Sequence, residues 1–192
     1  MLCSECEKFL NDEYELYFSR LWYKNKFLPT ETHGYLYCLE GIDYKRFKLF
    51  LLSILWRASV SSRTEFSNVT LGPHEKIIRN MLLDIRPGTD KTYQIFGVLL
   101  LFPNSKDIFG GIIMSPIRSR FEARHVCVFV FGGCVWHYVI SSHPIGAPVD
   151  NFALTENGII RFPTIDFMKF PPADNFMRSI IHIVQKDGRE KI

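Results

Sequence analysis

Residues 125–141 read HVCVFVFGGCVWHYVIS and carry the strongest structural signal in the chain. Two runs of β-branched and aromatic residues flank Gly132-Gly133, a composition that suits a two-residue type I′ or II′ turn. With this pair as the turn, residues whose numbers sum to 265 lie opposite each other, so Cys127 faces Tyr138. Both faces of this hairpin are largely apolar, and we therefore expect other parts of the chain to cover both.

Three helices are predicted before the hairpin. From Glu7 to about Lys24, apolar residues recur with a period near 3.6, which indicates an amphipathic helix. Asp43 precedes a second helix that is apolar almost all round, and Gly72-Pro73 begins a third, because proline suits the first helical position. We expect the Asp43 helix to be the buried hub that covers one face of the hairpin.

The second half of the chain favours strands. The runs Tyr93–Phe102 and Ile108–Met114 are separated by a turn-forming segment and predict a further hairpin. Helices followed by strands indicate an α+β fold, with N-terminal helices packed on a C-terminal antiparallel β-sheet. We expect a single domain over residues 1–192, mainly helical over 1–85 and mainly β over 90–185.

Composition supports a folded protein in a reducing compartment. The chain has 192 residues, 47% of them hydrophobic, and a net charge of only +3, which together exclude an intrinsically disordered chain. Its five cysteines are an odd number at irregular spacing, and no signal peptide or membrane-spanning helix is recognisable. We therefore expect a cytoplasmic protein without a membrane partner.

Cys3 and Cys6 form the sharpest local motif. Two thiolates separated by two residues can hold one zinc ion, but a closed structural site needs four ligands. The remaining candidates, His33 and Cys38, lie at a spacing that is not typical of zinc sites. A zinc site, a redox pair and plain terminal cysteines therefore remain open, and the redox alternative lacks the preceding strand of thioredoxin-like proteins.

Basic residues suggest a surface for an anionic partner. Arg118, Arg120 and Arg124 alternate in part along an extended segment, where they would point to one side and could contact phosphates. An edge strand protected by charge is the alternative. We expect Lys45, Arg46 and Lys48, at the exposed start of the Asp43 helix, to add to the same binding surface.

Other histidines and cysteines fit a core better than a catalytic site. His125 and Cys127 lack a third, orienting group, and His137 lies among valines. Ser141-Ser142-His143 are neighbours in sequence, whereas the members of a catalytic triad come from distant segments.

Several stretches resemble a bacterial family of largely uncharacterised proteins. They are residues 41–58 (GIDYKRFKLFLLSILWRA), 71–75 (LGPHE) and 129–133 (FVFGG) with 141–143 (SSH). Members of that family begin with a treble-clef Cys-x-x-Cys module similar to that of HNH-type nucleases, and residues 2–7 (LCSECE) resemble its second knuckle. The resemblance makes Cys3 and Cys6 the candidate zinc ligands, but this chain lacks the first knuckle and the catalytic histidine of the family, and that departure argues against both zinc binding and nuclease activity.

These observations lead to one expected function and two alternatives. We expect a non-enzymatic binding or regulatory module that engages a protein or nucleic-acid partner. The resemblance suggests a role in bacterial or phage conflict, as an inhibitor or a defence component. The first alternative is a metal-dependent HNH-like nuclease with a structural zinc at Cys3 and Cys6, and the second is a homodimer that shares one zinc between two such pairs.

Overall fold

The computed structural model describes residues 3–24, 28–29, 36–121, 124–147 and 149–169. Helices α1 and α2 are joined by a π-helical turn, Asn11–Glu15, and form one continuous rod. The helices are α1 (Ser4–Leu10), α2 (Leu16–Lys24), α3 (Tyr44–Ser59) and α4 (His74–Leu83). The strands are β1 (Leu28–Pro29), β2 (Leu36–Leu39), β3 (Ile95–Leu101), β4 (Met114–Phe121), β5 (Arg124–Phe131), β6 (Cys134–Ile140) and β7 (Ile160–Asp166). Of the described helices, none is long and apolar enough to cross a membrane.

The strands form one sheet in the order β1-β2-β7-β3-β6-β5-β4. Neighbouring strands are antiparallel except β3 and β7, which run parallel. The predicted α+β class is therefore confirmed, with a mostly antiparallel sheet. The sheet also takes in β2, which comes from the helical first part of the chain and pairs with β7.

The hairpin at Gly132-Gly133 forms in the predicted register. Cys127 lies opposite Tyr138, and both turn glycines have positive φ, at 62° and 76°. Positive φ at both positions defines a type I′ turn, whose twist matches that of the flanking strands. Every residue of β6 is buried, so both faces of the hairpin are covered as expected.

The second predicted hairpin, between Tyr93–Phe102 and Ile108–Met114, is wrong. β3 pairs instead with β6 and β7, and the only bridge described between the two runs joins Leu101 to Ile108. The physical reason is that all seven residues of β3 are buried, which suits a central strand with neighbours on both sides. The chain after β3 folds back as a loop and enters the sheet only at Met114, where β4 pairs with β5.

The α3 helix is the hub of the core, as predicted. The Asp43 carboxylate caps it by accepting a hydrogen bond from the Arg46 backbone N–H at 3.0 Å. Phe47 of α3 packs against Trp136 of β6, with ring centroids 6.0 Å apart. The rod of α1 and α2 lies on the same face, where the Trp22 indole N–H donates to the Gly132 carbonyl at 2.9 Å. The helices therefore cover one face of the sheet, and loop residues such as Phe109 and Phe152 cover the valines of the other.

Candidate functional site

The arginines predicted to share one side of a strand lie on two faces of the sheet. β4 is an edge strand, on which Arg118 lies opposite Cys127 and Arg120 opposite His125. Cross-strand partners share a face, so these two arginines point to the helix side of the sheet. Arg124 lies one residue before His125 on β5 and therefore points to the opposite face. The prediction of a single three-arginine side is wrong, because β4 turns into β5 between Arg120 and Arg124.

Arg118 and Arg120 form a small basic strip on the exposed edge of the sheet. Both side chains are exposed, and the Arg118 guanidinium lies 3.5 Å from Nδ1 of His125. Partial burial and the two arginines lower the pKa of His125. The imidazole is therefore neutral around pH 7, and the positive charge of the strip comes from the two guanidinium groups.

The start of α3 supplies two exposed cations rather than three. Lys45 and Arg46 are exposed, and Arg46 lies 3.8 Å from the Asp43 carboxylate. The expectation that Lys48 belongs to this exposed surface is wrong, because its side chain is only 2% exposed. The segment that leads into β3 folds over this turn of the helix and covers Lys48.

The buried Lys48 ammonium group has a full set of acceptors. It donates to the Tyr44 hydroxyl at 2.9 Å, to the Thr89 carbonyl at 2.5 Å and to the Thr92 carbonyl at 2.7 Å. These contacts tie α3 to the loop before β3. Burial lowers the pKa of Lys48 from 10.5 to about 7, and the Asp90 and Glu156 carboxylates act in the opposite direction by raising it.

We expect Lys48 to make stability rise with pH. In the unfolded chain the lysine keeps its proton up to a pH of about 10, whereas the folded protein releases it above pH 7. The unfolded state then binds more protons, so the free energy of unfolding increases, by about 2 kcal/mol between pH 6.5 and 8.5.

Urea denaturation at these two pH values measures the gain. Lys48→Met should lose it, and Lys45→Met, on the exposed side of the same helix, should keep it. An equal pH slope in Lys48→Met and the unmodified protein would contradict the assignment.

The Cys3 and Cys6 side chains are brought together by the first turn of α1. Cys3 is the N-cap residue, and its sulfur accepts a hydrogen bond from the Cys6 backbone N–H at 3.4 Å. The backbone N–H and the thiol of Cys6 both lower the pKa of Cys3, and donation to Cys3 raises the pKa of Cys6. Cys3 is thus the thiol that ionises first.

The described residues provide half of a closed zinc site at these cysteines. Within the described part of the chain, no group of three or more His, Cys, Asp or Glu side chains could hold a metal ion. Cys38 lies on β2 and hydrogen-bonds to the Glu40 carboxylate at 3.6 Å, and His33 lies outside the described residues. Zinc at Cys3 and Cys6 therefore stays a prediction, and its other ligands would have to come from elsewhere.

Both thiols line a groove of about 830 Å³ that runs between α1, the end of α3 and α4. We call it the α1/α4 groove. Its apolar lining includes two side chains that are about half exposed, Val60 at 42% and Leu83 at 47%. The other apolar residues that line it are Phe9, Leu10, Trp56 and Leu82. A concave surface with half-exposed apolar side chains can receive apolar groups of a partner.

The charged lining of the α1/α4 groove is predominantly positive. Arg57 pairs with Glu15 at 2.6 Å and is neutralised by it. Arg63 and Arg79 are exposed, line the groove and make no ion pair with any residue that the structure describes. Glu7 is the acidic residue of the lining. The groove therefore carries two guanidinium groups outside any described ion pair and one carboxylate.

The basic strip lies on the same side of the sheet as the α1/α4 groove. The 3₁₀ turn Thr64–Phe66 directly follows Arg63 and contacts β4, whose arginines point to the helix side. Glu65 in this turn is exposed and lies two residues after Arg63. The turn therefore connects the groove to the strand that carries the basic strip.

The other cysteine, histidine and serine side chains considered as catalytic residues lie in environments that do not favour catalysis. Burial raises the pKa of Cys127 to about 11, which keeps its thiol protonated. His137 is fully buried, stacks on Phe96 with ring centroids 4.6 Å apart, and has its pKa lowered by burial to about 3. The prediction that Cys127 and His137 belong to the core is confirmed. Ser142 Oγ lies 3.2 Å from Nδ1 of His143, but both side chains are exposed neighbours in a loop.

Sequence reasoning missed the α1/α4 groove because its residues come from three helices. Two local signals point toward it. Leu83 lies beside the inward stripe of α4 rather than on it, and Val60 follows the last residue of α3. Each is an apolar side chain at a helix end that the core does not use.

Comparison with known proteins gives no match: no family model, no curated protein and no solved structure is similar to this chain. The resemblance to a bacterial family with an HNH-like module therefore stays a prediction.

Proposed function

We propose that the protein is a binding module whose α1/α4 groove receives an acidic segment of a partner protein that also carries apolar side chains. The observation that supports this proposal is the pairing of half-exposed Val60 and Leu83 with the unpaired guanidinium groups of Arg63 and Arg79. Apolar side chains supply affinity, and the arginines select carboxylates. The setting in bacterial or phage conflict stays a prediction.

A designed peptide tests this proposal. The probe is a labelled 16-residue peptide in which glutamates alternate with leucine and phenylalanine at helical spacing, measured by fluorescence anisotropy. We expect saturable binding that weakens about tenfold in the double variant Arg63→Glu/Arg79→Glu, because two attractions of under about 1 kcal/mol each become repulsions. Binding should also weaken as salt is raised.

The basic strip of Arg118 and Arg120 supplies the matched control for the peptide experiment and is also the second candidate binding surface. Arg118→Glu/Arg120→Glu makes the same charge change outside the groove and should leave peptide binding intact. Equal loss in both double variants, or no binding of the peptide, would contradict the proposal.

A single-stranded DNA probe tests the nucleic-acid alternative, which the exposed Arg118 and Arg120 favour. Tighter binding of the DNA than of the peptide, with strong salt dependence and loss in Arg118→Glu/Arg120→Glu, would support that alternative instead.

A further inference from the structure

The first turn of α1 places the Cys3 and Cys6 thiols next to each other. Cys3 and Cys6 are three residues apart on a helical turn, where side chains are neighbours about 5–6 Å apart at Cβ. A disulfide needs Cβ atoms about 3.5–4.5 Å apart, so Cys3, whose N-cap backbone is extended rather than helical, must shift toward Cys6 for the bond to form. The hydrogen bond from the Cys6 backbone N–H already orients the Cys3 sulfur toward Cys6.

The two cysteines differ in a way that suits consecutive chemical steps. Cys3 is exposed and accepts hydrogen bonds from Cys6, whereas Cys6 is half-buried and donates. The more exposed thiol, that of Cys3, is therefore the one that a reagent meets first.

The other three cysteines provide a contrast within the same molecule. Cys127 and Cys134 are buried in the core. Cys38 is half-buried and donates to a carboxylate. Cys3 and Cys6 are the two that line the α1/α4 groove, beside the free guanidinium of Arg79.

We infer that Cys3 and Cys6 form a thiol–disulfide exchange site whose substrate is a disulfide bearing carboxylate groups, held at the mouth of the α1/α4 groove. Cys3 would be the attacking residue and Cys6 the resolving residue. Arg79 would attract the carboxylates of the substrate. This activity goes beyond the proposed binding function. Because both would use Arg79, an acidic segment bound in the groove would compete with the disulfide substrate.

The exchange needs no oxidant or reductant other than the protein dithiol and the substrate disulfide. The Cys3 thiolate attacks one sulfur of the substrate disulfide, the substrate S–S bond breaks, and one half leaves as a thiolate that takes up a proton. Cys6 then loses its proton to water and attacks the Cys3 sulfur of the mixed disulfide. The second half of the substrate leaves as a thiol. The protein dithiol is oxidised to a disulfide and the substrate disulfide is reduced to two thiols.

Oxidised glutathione, a small disulfide with carboxylates, is the probe for the test. The reduced full-length protein is mixed with oxidised glutathione, quenched with acid, alkylated and analysed by peptide mass spectrometry. We expect the unmodified protein to lose two hydrogen atoms and to give a peptide that contains a Cys3–Cys6 disulfide. Cys6→Ser should stop at a glutathione adduct on Cys3, and Cys3→Ser should form neither product.

Cys38→Ser is the matched control and should behave as the unmodified protein. Circular dichroism checks that each variant is folded, and serine at position 3 keeps an oxygen that can cap α1. A stable glutathione adduct in the unmodified protein without the internal disulfide would overturn the inference. So would equal modification of Cys38 and Cys3, or one tightly held zinc per chain that protects Cys3 and Cys6 from alkylation until a chelator removes it.

Discussion

We expect Trp136→Ala to lower the free energy of unfolding by about 4–5 kcal/mol, the upper range for loss of a buried tryptophan side chain. Trp136 is fully buried in the middle of β6. Its ring lies 5.0 Å from that of Trp22, 6.0 Å from Phe47 and 5.9 Å from Phe162, centroid to centroid. These contacts come from α2, α3 and β7, so the cavity opens where the helices meet the sheet.

Urea denaturation followed by circular dichroism measures this loss. Tyr23→Ala, at a residue that is 74% exposed on α2, is the control and should change stability by less than about 0.5 kcal/mol. Trp136→Phe should fall between the two. The Trp136 indole N–H is buried and finds no acceptor among the described residues, so phenylalanine removes an unsatisfied donor as well as volume. Similar losses in Trp136→Ala and Tyr23→Ala would show that the aromatic cluster does not stabilise the fold.

Local signals account for the parts of the fold that the sequence predicts correctly. The Gly132-Gly133 turn fixes the register of β5 and β6 because a two-residue turn leaves no freedom in the pairing. Asp43 marks the start of α3 because its carboxylate caps the first turn. In both cases, residues within a few positions of one another determine the structure.

The errors concern contacts between distant segments. β3 is buried on both faces, so its sequence lacks an alternation that could identify its neighbours. Its parallel pairing with β7 joins residues more than sixty positions apart. Lys48 was expected to be exposed because helix starts often are, and the loop that covers it lies about forty residues later.

The candidate site likewise combines a feature that local sequence predicts with one that depends on contacts between distant segments. The Cys3 and Cys6 pair is local and visible in the sequence, whereas the groove beside it requires α1, α3 and α4 to be brought together. Arg63 and Arg79 line the same groove only because of that packing. The folded structure therefore turns a half-complete zinc motif into a dithiol that faces a cationic, partly apolar groove.

Two glycines with the same backbone conformation allow a sharp test of the contact between the ends of β2 and β7. Gly41 and Gly158 have φ of 71° and 70°, respectively. A Cβ atom at Gly158 would overlap the carbonyl oxygen of Ile42, whereas a Cβ at Gly41 would meet nothing within 4 Å. The Ile42 backbone N–H also donates to the Gly158 carbonyl at 3.1 Å, so the two backbones are in direct contact.

We expect Gly41→Ala to lower the free energy of unfolding by about 1 kcal/mol, the usual penalty for an L-residue at positive φ. Gly158→Ala should lower it by about 3 kcal/mol, because the same penalty is joined by separation of the two backbones and strain in a hydrogen bond that closes the end of the sheet. Chemical denaturation of the two variants under identical conditions gives the difference directly. Since the φ penalty is common to both, the difference isolates the close approach of Gly158 to Ile42. Equal losses in the two variants would mean that the end of β2 and the start of β7 do not approach closely enough for a methyl group to separate them.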